Sequence, residues 1–324
     1  MLNLIITIDY EIFGNGRGDV IRHMIIPMGR IASIAEAHNV PVTVMAEMCE
    51  YIQFEKYDEA LVNDLGYSPS ERISTQILEM HERGHDVQLH IHPQFLDAEY
   101  SRGRFHLRNP KLSVFDMSYE DVRSMIEMCK DTLESLVPSG SYRCLALRLS
   151  NMGWVEPPYH VAKAMEDLGI VVHSLSDIPA PAGNNGLWRL YDLQVYEVPI
   201  YSIPAKLHSF LKPGFLLPLL YVWVHDPPTS PTGRSSLKGS GGSGRVMKFD
   251  ISKLSWREMV GMLDHALNVY DTAENEVPVV AIGHTKDFFN SSNFKKFLEI
   301  VTRDYSHAVR FTTFSEFVEQ VLSG

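Results

Sequence analysis

The sequence predicts an α/β protein built as a closed or nearly closed (β/α) barrel, with a doubly wound open sheet as the competing arrangement. Three observations lead there. Short apolar runs alternate with longer amphipathic stretches, the pattern of βα units and parallel pairing, and about seven or eight such units suit a barrel. The runs are continuously apolar rather than alternating, as strands covered on both faces require. Polar clusters follow several runs directly, where barrels carry their sites.

In chain order the apolar runs are 2–8, 41–46, 86–91, 142–147, 169–174, 195–200, 219–224 and 278–283. The first, LNLIITI, is too short for a signal h-region, lacks a basic flank and meets two carboxylates at once, so it reads as a buried strand. Helical periodicity falls near 20–38, 70–83, 118–136, 157–168, 253–273, 291–304 and 313–322. Ser118 with Asp121, and Ser252 with Ser255, mark N-terminal cap regions. The segment DPPTSPTGRSSLKGSGGSGR (226–245) has almost nothing apolar to bury. It reads as a flexible loop within a single catalytic domain spanning 1–324, either a functional lid or an insertion without function.

A chain of 324 residues that is 45% hydrophobic has ample material for a core. Its net charge of -11, from 40 acidic against 29 basic residues, disfavours a nucleic-acid backbone or an anionic membrane as main partner. A small neutral or cationic ligand, or a local basic pocket, stays open. The longest apolar window, FLKPGFLLPLLYVWV, is broken by Lys212, two prolines and a glycine, so no membrane insertion is expected. Cys49, Cys129 and Cys144 lie far apart without CxxC spacing, which points to a reducing, cytoplasmic compartment.

Asp9 and Glu11, in TIDYE, are two apart and share one face while the strand lasts. Two carboxylates at the mouth of a buried strand need a cation nearby, unless one merely caps the next helix. In GHDVQLHIHP, His90 and His92 alternate with Leu89 and Ile91, so a continued strand points both imidazoles to one side. Two neutral imidazoles and a carboxylate make the three-ligand site with an open position that catalytic zinc uses; the bland alternative is a pair of structural histidines. His81-Glu82-Arg83-Gly84-His85 matches HExxH, the zinc-peptidase pattern, but Gly84 ahead of a strand-like run is the expected helix end, which breaks the required one-turn spacing. Arg143 and Arg148 flank another apolar run and either could pair with the buried carboxylates, while His284 follows the last run in IGHTK.

The order TIDYE, GHDVQLHIHP, an arginine-bearing strand end and IGHTK resembles the polysaccharide deacetylase (NodB-homology, carbohydrate esterase) family over residues 2–290. That resemblance implies a distorted (β/α)7 barrel. It implies Asp9 as general base, Glu11, His90 and His92 as ligands of one divalent metal ion, Zn2+, Arg148 as the residue orienting the base, and His284 as general acid. The opening motif is Asp-Tyr-Glu instead of Asp-Asp, and the two histidines stand two apart instead of four, which leaves the roles of Asp9 and Glu11 exchangeable. Arg143 stands as the alternative to Arg148. The implied activity is removal of an N-acyl group, acetyl or formyl, from an amino sugar or nucleotide sugar. The lack of a secretion signal aligns the chain with the intracellular branch serving surface-polysaccharide biosynthesis. Trp154, Trp188 and Trp223 are candidate sugar platforms, though a core role competes for each. Two other function classes remain, a zinc peptidase using HERGH (81–85) and a non-catalytic sugar-binding barrel.

Overall fold

The strand that organises the sheet is β1 (Leu2–Tyr10), buried along its whole length. The computed structural model describes residues 1–140, 142–150, 156–175, 186–204, 246–270, 272 and 274–322. The chain continues through β2 (Thr43–Glu47), β3 (Asp86–Ile91), a hairpin of β4 (Glu99–Ser101) and β5 (Arg104–His106), and β6 (Ala146–Leu149). Then come the short β7 (Val172–His173), β8 (Trp188–Arg189) and β9 (Tyr196–Glu197), the pair β10 (Ser202–Pro204) and β11 (Val246–Lys248), β12 (Val277–His284) and β13 (Val309–Thr312).

Seven of these strands run parallel in the order β12-β1-β2-β3-β6-β7-β9, with β8 added antiparallel and β13 paired to the start of β1. The ring is completed by single bridges instead of a ladder. Ile200 pairs with Val280 and Asp250 with Ile282, so segments after β9 and β11 cover the free edge of β12. This is a distorted (β/α) barrel, not the open doubly wound sheet.

Side-chain alternation divides each strand between two cores. On β1, Leu4, Ile6 and Ile8 face outward into the cluster that includes the surrounding helices, whereas Ile5 faces inward with Met45, Ala146, Val172, Val280 and Ile282. Phe314 and Phe317 plug that interior from below. Above the apolar floor the inward column of β1 turns polar, reading Thr7, Asp9 and then Glu11, all buried.

Where the local pattern is strong, structure follows it. The helix Tyr119–Leu136 starts at Ser118, whose hydroxyl accepts from the Asp121 N–H, and Trp256–Val269 starts at Ser255 with a reciprocal capping box to Glu258. Ser252 caps neither. It serves His284 instead, accepting from its backbone N–H at 3.0 Å. The helices Met48–Lys56 and Asp58–Leu65 are unexpected, because the first buries Glu50 and Gln53 and so lacks an apolar stripe. The run 142–147 becomes a strand only from Ala146, since the Gln88 side chain, not a neighbouring backbone, accepts from the N–H groups of Leu145 and Ala146. The run 219–224, the loop 226–245, Trp154 and Trp223 lie outside the described residues. Among the described residues, no helix is long and apolar enough to cross a membrane.

Candidate metal centre

The register of the parallel strands brings the polar columns together. Asp9 pairs with His284 across β1 and β12, Glu47 with His90 across β2 and β3, and His90 with Arg148 across β3 and β6. A slip of one residue in any of these ladders would turn its polar group to the outer face. Asp9, Glu11, His90, His92, Arg148 and His284 therefore meet at one end of the barrel.

Arg148 is almost wholly buried, at 1% exposure, and every part of its guanidinium is used. It ion-pairs with Asp9 Oδ1, donates to Thr7 Oγ1 at 2.9 Å and to the Ser174 carbonyl at 2.8 Å. Burial by itself would raise the Asp9 pKa; Arg148 first, then His90 and His284, overrule it and hold the carboxyl below its usual value. Arg143 is no substitute, for it is exposed and bonds the carbonyls of Gly140 and Tyr142.

Glu11 is held from the other side. Burial works against its charge, but Lys286, His92 and His90 outweigh burial and keep the carboxyl well below the usual range. Lys286 Nζ lies 2.5 Å from Glu11 Oε1, which leaves Oε2 facing His92 Nε2 at 3.1 Å and His90 Nε2 at 3.4 Å. His90 Nδ1 lies 2.8 Å from the Arg148 carbonyl. A carbonyl only accepts, so Nδ1 carries a proton, which leaves Nε2, turned towards Glu11, as the ring atom available to a metal. Burial first, with His90 and Lys286 adding to it, lowers the His92 pKa to about 3, so that ring is neutral at pH 7.

These residues fit a divalent metal. Single ligand atoms of Glu11, His90 and His92 all lie within 4.8 Å of one another, and Glu11 Oε2 and His90 Nε2 are buried without a hydrogen-bond partner. Buried polar atoms left unpartnered are costly, and a cation between an anionic oxygen and two imidazole lone pairs removes that cost. Asp9, Glu11 and His284 form an overlapping group.

His284 stands where alternation of β12 puts it, with Nε2 3.4 Å from Asp9 Oδ2. The residues expected as base and acid, Asp9 and His284, are therefore neighbours. Burial lowers the His284 pKa, so its ring is neutral at pH 7.

Two buried carboxylates went unnoticed in the sequence. Glu47 accepts from the backbone N–H groups of His92, at 2.7 Å, and of Cys49, while Glu50 Oε1 accepts from the Ile12 N–H at 3.0 Å. They tie the loops that follow Glu11 and His90 to the end of β2, and burial pushes both carboxyls well above the usual range. Their signal was available: AEMCE follows an apolar run as DYE does. Lys286, read only as part of IGHTK, was likewise given no role.

HERGH does not form a site. The helix Pro69–Glu82 ends in a Schellman turn, with His85 N–H on the Met80 carbonyl, Gly84 N–H on the His81 carbonyl, and Gly84 at φ +84°. His81 packs edge-on against Tyr142, and His85 turns to Glu36 at 3.1 Å. His81→Ala is expected to leave metal content unchanged, as elemental analysis would record; loss of the ion would return HERGH to contention. Trp188 packs on the outer core and donates to Glu156, away from the polar columns.

Neither a protein-family model nor a curated protein sequence matches the chain. Solved structures do. A protein assigned as a polysaccharide deacetylase from Mycobacterium smegmatis superposes with a TM-score of 0.55 at 15% identity, over 99% of this chain and 90% of its own. Another so assigned, from Pseudomonas aeruginosa PAO1, gives 0.50 at 11% identity, over 99% and 92%. The 4-alpha-glucanotransferase of Thermococcus litoralis gives 0.56 at 12% identity, over 98% of this chain but 40% of its own. One barrel thus serves unlike chemistries, and the chemistry here rests on the site. By fold, the chain is a distorted (β/α) barrel of the polysaccharide deacetylase type.

Proposed function

We propose that the chain is a metal-dependent hydrolase that removes an N-acyl group, acetyl or formyl, from an amino sugar or nucleotide sugar. The observation that carries this reading is the buried Glu11, His90 and His92 triad, whose possible ligand atoms converge, with Glu11 Oε2 and His90 Nε2 unpartnered, beside an ionised Asp9 and a neutral His284. Glu11, His90 and His92 would hold the ion, and the set of two histidines and one carboxylate favours zinc. A bound divalent ion would lower the pKa of a water towards about 7 and polarise the acyl carbonyl.

Asp9 is the base. Arg148 keeps it anionic and fixes Oδ1, so Oδ2 is the oxygen free to take a proton from the attacking water. His284 is neutral and cannot act as an acid until it is charged. Its Nε2 is 3.4 Å from Asp9 Oδ2, close enough to receive the proton that Asp9 has taken and to pass it to the departing nitrogen. Contact between the two groups, which a separated base and acid would lack, makes one proton serve both halves of the hydrolysis.

The direct test is amine release from a panel of N-acetylated and N-formylated amino sugars and nucleotide sugars, with and without chelator. Turnover that chelator abolishes and zinc restores is expected; no release from any member would sink the reading and favour a non-catalytic sugar-binding barrel. Metal content gives a second expectation. The pair His90→Ala with His92→Ala should fall from about one ion per chain to near zero, because one carboxylate does not hold zinc alone.

A further inference from the structure

Beside the metal centre the structure has a cleft of about 520 Å³, lined among others by Gly14, Arg17, Arg104, Phe105 and His106. We propose that this cleft is an anion subsite, which seats a phosphate group of the substrate while the acyl group lies at the metal. The proposal rests on the N-deacylase reading and narrows its substrates to phosphate-bearing amino sugars, such as sugar phosphates or nucleotide sugars.

Position comes first. Gly14 forms part of the wall, and a Cβ there would stand 3.9 Å from His92 Cε1 and 3.7 Å from Gln94 Nε2. One wall of the cleft is thus next to a residue of the candidate metal centre.

Charge comes second. In a chain with a net charge of -11, Arg17 and Arg104 both line this cleft, and among the described residues neither guanidinium is paired with a carboxylate. The one carboxylate on the same hairpin strand pair, Glu99, is taken by Arg108. Arg104 instead faces its neighbour His106, with Nε 3.4 Å from the ring Nε2. Both arginines are exposed on the cleft and offer forked donors of the shape that phosphate oxygens accept bidentately.

The walls are also built in advance. Gly16, at φ +78°, lies so close to the hairpin that a Cβ would meet the Phe105 carbonyl oxygen at 2.7 Å. Phe105 is anchored in turn among Phe54, Tyr57 and Tyr100 at centroid distances of 5.2, 6.2 and 5.3 Å. The loop carrying Arg17 and the strand carrying Arg104 are therefore packed against each other, which holds the two sides of this open cleft in place.

The test uses the full-length zinc-loaded protein, its Arg17→Ala, Arg104→Ala and double variants, and three substrates with one acyl group: a neutral N-acetyl amino sugar, its 1-phosphate, and its nucleoside diphosphate ester. The intact protein should prefer the phosphate-bearing forms in kcat/KM, and the double variant should reduce that preference by roughly 10 to 100-fold, mainly through KM. A greater preference for the nucleotide than for the 1-phosphate assigns the remaining volume to a nucleoside. Calorimetry with inorganic pyrophosphate reads the subsite without catalysis: binding by the intact protein that the double variant loses supports it. If amine is released but the phosphate preference is absent or survives in the double variant, the subsite is overturned while the hydrolase stands. If pyrophosphate binding depends on both arginines but no substrate releases amine, the subsite stands and the hydrolase reading fails.

Discussion

Asp9→Asn is expected to lower turnover by about 10² to 10⁴-fold while leaving most of the bound metal in place. On the proposed reading Asp9 transfers a proton and Glu11 ligates, since Asp9 Oδ1 is given to Arg148 and Oδ2 lies 3.4 Å from His284. Asparagine keeps an oxygen for Arg148, so the fold should survive, but it takes no proton from water and passes none to His284. Glu11→Ala should behave differently and lose metal and activity together, because Glu11 Oε2 is the oxygen that both imidazoles face. Single-turnover rates paired with metal quantification separate the two. If Asp9→Asn strips the ion and Glu11→Ala keeps it, the roles of the carboxylates are reversed and only the place of the site survives.

Arg148→Met should cost about 3 to 5 kcal/mol of folding stability in the metal-free protein, because it leaves a buried carboxylate without its partner. Urea denaturation at pH 7 measures it. Adding Asp9→Asn should recover most of the loss, since no charge then remains to be desolvated; a double variant as unstable as the single one would assign the effect to packing instead. The pH dependence has a definite sign. In the intact protein the Asp9 pKa is lowered, so its stabilisation is present above the unfolded value of 3.8 and is lost as pH falls through the folded value. In Arg148→Met the folded pKa moves up. The gap between the two proteins is therefore widest at neutral pH and narrows on acidification, as Asp9 becomes protonated in the variant first.

Much of the architecture was legible because it depends on local pattern. The run DVQLHI became β3 over Asp86–Ile91, and 291–304 became the helix Ser291–Asp304, since apolar spacing and breakers act within a few residues. What was missed has a shared cause. β13 has two half-buried residues in four, and the helix after β2 buries polar side chains that read as surface.

The same division runs through the site. Alternation by itself determined that Asp9 shares a face with Glu11, and His90 with His92, and Gly84 by itself ended the helix that HERGH would need, because side-chain direction and helix termination are properties of adjacent residues. Only the tertiary structure decided that Arg148 rather than Arg143 meets Asp9, that His284 lies beside Asp9, and that Lys286 holds Glu11. It also decided that Glu47 and Glu50 hold the motif loops, and that Arg17 and Arg104, 87 positions apart by their numbers, line one cleft. Those pairings are set by the register between strands distant in sequence and by how loops pack above them. Spacing along one strand specifies a face, and a face has no partner until the barrel closes.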